Sequence, residues 1–148
     1  MTKLLENTMI FNSNVNLWLS HKYICPVVIE GKKFNSVEQY LIYKKAETFN
    51  DKRIMDLVMI AMDPHDMNDL GRHINNYDDN IWCKLRENIS YIGNREKFVQ
   101  NKELYDKLLS TKDKKLVYYM YDKVWGITDD ETNNSLLGNI LMKIRNEI

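Results

Sequence analysis

The sequence predicts an α+β fold: a mostly helical single domain over residues 1–148, with a short β-hairpin and a few short strands. A chain of 148 residues has the length of one domain and can bury a substantial core. Apolar side chains recur at helical spacing through most of it, and one β-branched stretch runs into a Glu-Gly turn. Because no linker or repeat interrupts this pattern, one mixed domain in which helices dominate is expected.

The first third of the chain is expected to hold the hairpin. Residues 1–18 read as an irregular lead-in. The apolar stretch Tyr23–Ile29 is followed by a turn at Glu30-Gly31 and a return through Lys32–Phe34, which is typical of two antiparallel strands.

Three helices are predicted next, each from a capping signal. The first begins after Ser36, whose hydroxyl can cap it, and Gln39 can complete a capping box. Asp51 can cap the second. The third begins at Asp63-Pro64, because proline favours the first helical position, and Gly71 is expected to end it in the left-handed conformation.

The second half is expected to continue with helices around one strand. A long amphipathic segment begins at Asp78 or Asp79, and a helix spans Phe98–Leu109. A strand is predicted at Leu116–Tyr121, and a final helix runs from about Asn134 to Arg145.

The charge balance narrows the classes of function. The chain has 21 basic and 21 acidic residues and a formal charge of zero, which argues against a protein that holds DNA mainly by neutralising phosphates. A small anionic ligand bound by a few local cations remains compatible. No run approaches a membrane span and the N-terminus lacks a signal-peptide core, so a cytoplasmic protein with no membrane partner is expected.

Cysteine and histidine placement argues against a metal centre. Cys25 and Cys83 stand alone in contexts expected to be packed core, so neither a disulfide framework nor a metal cluster is predicted. His21, His65 and His73 show no metal-ligand spacing, and the last two are expected to face solvent. No metal and no cofactor are predicted.

One acid and one lysine share a face of the first predicted helix. Glu38 and Lys45 are seven residues apart, which places them within about 20° of the same face and roughly 10 Å apart along the axis. They are either a solvated pair or an ionised carboxylate with a nearby ammonium in a site. Glu38 lies near the helix N-terminus, where the macrodipole favours its charged form.

Four further residues allow a structural and a functional interpretation. Arg72 either ends a helix or holds a phosphate with its planar guanidinium. Trp82 and Trp125 are either core aromatics or surfaces on which a flat ring stacks. Asp122 either forms a turn or adds a second carboxylate near Trp125, beside which Gly126 would let a flat ligand approach the backbone.

Seven pieces between Phe11 and Arg145 follow one another in a specific order. They are Leu19-Ser20 with Tyr23 and Pro26; Phe34–Tyr40 continuing to Lys45-Ala46; Gly71-Arg72; Trp82; Lys97–Asn101 with Leu104, Leu108-Leu109 and Thr111; Asp122–Gly126; and Leu137–Arg145. In this order they resemble the YbiA-like family, also called NADAR for its inferred link to NAD and ADP-ribose. The resemblance covers nearly the whole chain and implies the YbiA-like fold.

The resemblance also implies an N-glycosidase, which cleaves the bond between a nitrogen base and C1′ of a ribose phosphate or ADP-ribose. The implied substrates are riboflavin-pathway intermediates or ADP-ribosylated guanine, so the expected partner is a small ribosyl-phosphate or ADP-ribose-type molecule, or ADP-ribosylated nucleic acid. The implied catalytic residues are Glu38, Asp122 and Lys45. The implied ligand-binding residues are Ser20, His21, Tyr40, Arg72, Trp82, Trp125, Gly126, Asn134 and Ser135.

In this hypothesis Glu38 stabilises the oxocarbenium-like state and orients water. Lys45 keeps it ionised or binds phosphate, and Asp122 is a second acid/base or a ribose-hydroxyl ligand. Arg72 would hold the phosphate, and Trp82 or Trp125 would stack on the base.

Three positions depart from the family pattern. His21 stands where an asparagine is common, Asn68 where a lysine is common, and the family asparagine near Asn134 is shifted or replaced by Ser135. The resemblance implies that the first and last changes lie at the sugar or base pocket, so they are expected to bear on substrate identity. The alternatives are a non-catalytic binder of ADP-ribose or an NAD-derived nucleotide, and an interaction protein with a decayed site.

Overall fold

The structure, a computed structural model, describes residues 7–127 and 135–148. Its elements divide between two compact units, His21–Gln100 and the rest of the described chain. Helices dominate and no described strand exceeds four residues, which confirms the α+β fold class; one domain over 1–148 stays a prediction. In chain order the elements are β1 Thr8–Phe11, β2 Val27–Ile29, β3 Lys32–Phe34, α1 Val37–Thr48, α2 Lys52–Ile60, α3 Pro64–Gly71, α4 Asp79–Trp82, α5 Arg86–Gln100, α6 Lys102–Ser110, β4 Lys115–Tyr118 and α7 Leu136–Glu147.

The predicted hairpin is confirmed within the His21–Gln100 unit. β2 and β3 are antiparallel, with Val27 opposite Phe34. Glu30 and Gly31 connect them with φ values of 52° and 79°, the left-handed pair that a tight two-residue hairpin turn requires. Phe34 then packs edge-on against Tyr40, which joins the hairpin to the first long helix.

α1 is the centre of this unit and packs against α2, α3 and α5. Ser36 caps it as predicted, since its hydroxyl accepts from the Gln39 backbone N–H at 3.2 Å. The capping box is modified, because the Gln39 side chain accepts from the backbone N–H of Asn35. Gly93 of α5 has room only for hydrogen, since a Cβ there would lie 3.0 Å from both Val37 and Tyr40, and this lets the two helices approach closely.

The next two helices begin where the sequence predicts. Asp51 caps α2 through the backbone N–H of Ile54, and Asp63 caps α3. The prediction for Gly71 was wrong, because it is the last residue of α3 and has no positive φ. Glycine is needed there for packing instead, as a Cβ would lie 2.9 Å from the Ile42 side chain of α1.

Two predicted continuous segments are interrupted. The segment beginning at Asp78 or Asp79 splits into α4 and α5, because the turn after Trp82 closes with tighter i→i+3 hydrogen bonds, from Lys84 to Ile81 and from Leu85 to Trp82. The predicted helix over residues 98–109 also breaks, since Asn101 has extended backbone between α5 and α6.

The second unit is built around a parallel strand pair that the sequence analysis missed. β1 lies in the predicted irregular lead-in and pairs with β4, placing Phe11 opposite Tyr118 with their rings stacked 5.1 Å apart. α7 packs against β4. A Cβ on Gly138 would lie 2.0 Å from the Leu116 carbonyl, so only glycine allows this close packing.

Candidate active site

The carboxylate of Glu38 is buried in the first turn of α1, only 3% exposed. Its backbone N–H donates to the carbonyl of His21 at 2.9 Å, which fixes the start of the helix. Its Oε2 accepts from the side-chain amide of Asn68 at 3.1 Å. Asn68 in turn accepts from Arg72 Nη2 at 3.1 Å, so this one side chain of α3 connects the buried carboxylate to an exposed guanidinium just after the helix.

Lys45, two turns after Glu38 on α1, also contacts α3. Its Nζ donates to the Gly71 carbonyl at 3.1 Å and lies 4.7 Å from the centre of the Tyr77 ring. Burial lowers the pKa of Lys45, and the charges of Glu38 and Asp79 oppose that shift. Glu38 and Lys45 therefore both face α3, as their seven-residue spacing predicts.

Tyr77, Asp79 and Arg86 form a second polar cluster next to Lys45. The Tyr77 hydroxyl donates to Asp79 at 2.6 Å, and Arg86 pairs with Asp79 at 3.5 Å. Burial, followed by this hydrogen bond, raises the pKa of Tyr77 to about 12, so the phenol stays protonated at neutral pH. Arg72 and Arg86 both repel Lys45. Lys45, Arg72 and Arg86 thus share one region with the carboxylates of Glu38, Asp69 and Asp79, and both arginines are already paired with an exposed aspartate.

The two predicted indoles differ in accessibility. Trp82 is 5% exposed and lies at the end of α4, whereas Trp125 is half-buried. Trp125 is therefore the more accessible surface for a flat ring in the folded chain.

Asp122 forms the turn that its structural interpretation predicts. Its Oδ1 accepts from the backbone N–H groups of Val124 and Trp125, both at 2.9 Å. Gly126 closes this turn, and a Cβ there would lie 2.5 Å from the Met120 carbonyl. The glycine is thus required by the backbone itself; its place in a ligand site, like that of Asp122, stays a prediction.

His21 is locked in a neutral form. It is 4% exposed, and its Nε2 lies 2.7 Å from the hydroxyl of Ser90. Burial, with the nearby charges of Lys97 and Lys22, lowers the pKa of His21 to about 3. An imidazole in this state can exchange hydrogen bonds but supplies no cation to a phosphate.

Most of the remaining predicted ligand residues are buried or already hydrogen-bonded within the fold. Ser20 is buried, and its backbone N–H donates to Leu17. Tyr40 packs in the core, and burial raises the pKa of its phenol. The Ser135 hydroxyl caps α7 at Gly138 and accepts from the Tyr118 N–H at 3.0 Å. Asn134 lies outside the described residues.

A separate cavity of about 300 Å³ opens near Gln39 rather than Glu38. It is lined by Pro26, Lys33, Phe34, Asn35, Gln39 and the chain from Met59 to Met62. Because consecutive helical residues point about 100° apart, the side chains of Glu38 and Gln39 lie in different surroundings.

Within the described residues, no three His, Cys, Asp or Glu side chains are grouped so as to hold a metal ion. Cys25 is buried as predicted, but Cys83 is exposed because it follows the single turn of α4 on its outer side. His65 and His73 face solvent, as predicted.

The fold and the buried carboxylate of Glu38, linked through Asn68 to Arg72, are those of a small α+β protein with a polar site on one face of α1. Residues 7–148 match the NADAR domain family, and the chain belongs to that family. Over 130 residues it is 36% identical to an N-glycosidase of Acanthamoeba polyphaga mimivirus, covering 80% of this chain and 76% of the relative. A riboflavin biosynthesis protein of Vibrio vulnificus is 31% identical over 132 residues, which are 88% of this chain and 35% of that protein.

A solved structure shares the fold. The NMR structure of the E. coli protein YbiA matches with a TM-score of 0.80 at 24% identity, covering 97% of this chain and 86% of that chain. The N-glycosidase YbiA of Escherichia coli (strain K12) is 27% identical over 124 residues, 83% of this chain and 76% of that protein. Relatives named N-glycosidases support a hydrolase that acts on N-glycosidic bonds.

The sequence analysis missed the contacts of Asn68 and Tyr77. Asn68 was noted only as a departure from the family lysine, although its four-residue spacing from Arg72 on a helix was a usable signal. Tyr77 lies in a loop with no periodicity, and only the folded chain brings it to Lys45.

Proposed function

We propose that this chain is an N-glycosidase that hydrolyses the bond between a nitrogen base and C1′ of a ribose phosphate or ADP-ribose. The observation that carries the proposal is the buried carboxylate of Glu38 at a helix N-terminus, with Lys45 on the same helix face and Arg72 linked to it through Asn68. Membership of a family whose named relatives include N-glycosidases supports the same reaction.

The reaction develops positive charge at C1′ and the ring oxygen as the bond to the base breaks. A fixed carboxylate against the sugar stabilises that charge and orients the attacking water. The water oxygen bonds to C1′, one of its protons leaves, and the departing nitrogen gains a proton. Glu38 has the charge-stabilising role here, and Asp122 is proposed as the second acid/base or as a ribose-hydroxyl ligand.

The cations would hold the phosphate. Arg72 is 71% exposed, so it can reach a ligand at little cost to its exposed pair with Asp69. Lys45 donates to the Gly71 carbonyl at the end of α3, and from that position its charge can favour the ionised form of Glu38. Trp125, the more accessible indole, is proposed to stack on the base.

Base release from a substrate panel tests the proposal. The purified chain is incubated separately with ADP-ribosylated guanine substrates and with ribosylated pyrimidine intermediates, and the free base is quantified by chromatography. The expected result is release from one of the two classes. No release from either class, with ADP-ribose still bound in a calorimetric titration, would identify a non-catalytic nucleotide binder. Neither release nor binding would contradict both functions.

A further inference from the structure

The Asn68 side chain joins the proposed catalytic carboxylate to a guanidinium. Its Nδ2 donates to Glu38 Oε2, and its Oδ1 accepts from Arg72 Nη2, both at 3.1 Å. Its amide orientation is determined by its neighbours, since arginine can only donate and an ionised carboxylate can only accept. If the amide were turned over, its NH2 group would face the guanidinium, which can only donate, and its oxygen would face the carboxylate, which can only accept.

The three side chains form a path from the interior to the surface. Glu38 is buried, Asn68 is half-buried, and Arg72 is exposed at the C-terminal end of α3. Linked hydrogen bonds polarise one another, so the guanidinium strengthens Asn68 as a donor to the carboxylate. Arg72 also pairs with Asp69 at 3.2 Å, but both side chains are exposed, so this weak pair does not prevent the guanidinium from reaching an anion.

We propose that Asn68 is a positioning residue: it orients Glu38 for the reaction and connects it to the anion that Arg72 binds. The inference rests on the proposed function. Asn68 does not touch the reacting atoms in this account, and it acts through the carboxylate. Its neutral amide is the feature that matters, because it donates to Glu38 without adding a charge beside it.

A change of charge at this position should therefore alter the protonation of Glu38. Asn68→Asp keeps the shape but places a second carboxylate next to Glu38, and two adjacent carboxylates resist ionising together. The other charged and titratable groups around this region, which every variant retains, are Lys45, Asp69, Arg72, Tyr77, Asp79 and Arg86, with His21 next to the first turn of α1 and Lys97 near His21.

The test is the pH profile of kcat for base release by the wild type, Asn68→Asp and Asn68→Ala. We expect the acidic limb of Asn68→Asp to move to higher pH by about one unit or more. We expect Asn68→Ala to lower kcat about tenfold while KM changes little, because one neutral hydrogen bond to a charged group is lost and Arg72 remains. Asn88→Asp, which adds the same charge on the exposed side of α5, should match the wild type.

A second readout does not depend on turnover. The Glu38 side-chain carboxyl carbon is followed by NMR across pH in the wild type and Asn68→Asp, and the titration midpoints are expected to separate. Superimposable titrations, or superimposable rate profiles per folded molecule, would overturn the inference. If Asn68→Asp does not fold, Asn68→Ala must show the loss of kcat at unchanged KM, and wild-type kcat in that variant would overturn it. A wild type that releases no base from any substrate refutes the proposed function alone, and the NMR titration still decides the role of Asn68.

Discussion

Glu38 and Gln39 are adjacent, similar in size and almost equally buried, at 3% and 4% exposure, yet their side chains bind different partners. The Gln39 amide is bound to backbone: it donates to the Val58 carbonyl at 2.9 Å and accepts from the Asn35 N–H at 2.7 Å. The Glu38 carboxylate accepts from a side chain, Asn68, which itself contacts another side chain. The Gln39 amide thus holds backbone segments together, whereas the Glu38 carboxylate is linked through Asn68 to an exposed guanidinium.

The largest expected effect is on catalysis. Glu38→Gln keeps an oxygen that can accept from Asn68 but removes the charge that stabilises C1′, so kcat should fall roughly 10²–10³-fold, as when one group that stabilises transition-state charge is lost. The change is measured as base release, with circular dichroism to confirm folding. Asp66→Asn, the same chemical change at an exposed site on α3, is the matched control and should leave kcat unchanged. Near-normal turnover by folded Glu38→Gln would remove Glu38 from the mechanism.

The next effect falls on stability instead. Gln39→Ala leaves the buried Val58 carbonyl and the half-buried Asn35 N–H without their side-chain partner; a buried group left unsatisfied costs about 1–3 kcal/mol, and a half-buried one costs less because water can reach it. Urea unfolding should therefore show a loss of about 2–4 kcal/mol. Activity per folded molecule should be close to wild type. A stable Gln39→Ala with lost turnover would reverse the comparison between the two residues.

A third buried polar residue, Lys97 of α5, extends the comparison to a charge. Burial lowers the pKa of Lys97 from 10.5 to about 7. Between these values the unfolded chain binds more protons than the folded one, so the unfolding free energy contributed by this group rises with pH. Relative to Lys97→Met, the wild type should gain up to about 1.4 kcal/mol per pH unit over that window. Parallel stability curves for the two proteins from pH 7 to 10 would contradict this shift.

The smallest expected effect on stability is at Arg72. Its pair with Asp69 is exposed on both sides, and such pairs contribute about 0–1 kcal/mol, so Arg72→Ala should unfold nearly as the wild type does. Binding should respond more strongly, with ADP-ribose affinity weakened about tenfold or more through loss of a charge-assisted contact. Calorimetric titration measures this, with Arg53→Ala on exposed α2 as the control. Unchanged affinity would make Arg72 structural.

Local signals in the sequence predicted local structure well. The caps at Ser36, Asp51 and Asp63 are where their side chains indicated, because capping needs only residues two or three positions away. The β1–β4 pair was missed for the opposite reason: each strand is four residues long, and the partners are more than a hundred residues apart. The left-handed cap predicted at Gly71 was wrong because its packing against Ile42 is a tertiary contact, which no local signal reveals.

The candidate site divides in the same way. Helical spacing alone indicated that Glu38 and Lys45 share a face, and both contact α3. The amide of Asn68 and the ring of Tyr77 come from other segments, so no spacing rule along α1 reveals them. The convergence of Asp122 and Trp125 with Glu38 is implied by the family resemblance and stays a prediction.

The proposed mechanism requires the ribose to lie against the Glu38 carboxylate. A crystal structure of Glu38→Gln soaked with an uncleaved substrate would show whether it does. We expect the anomeric carbon within about 3.5 Å of the substituted side chain, a separation suited to reaction, with the phosphate at Arg72. Substrate bound instead in the cavity beside Gln39 and Met62, with no substrate next to residue 38, would contradict the proposed mechanism.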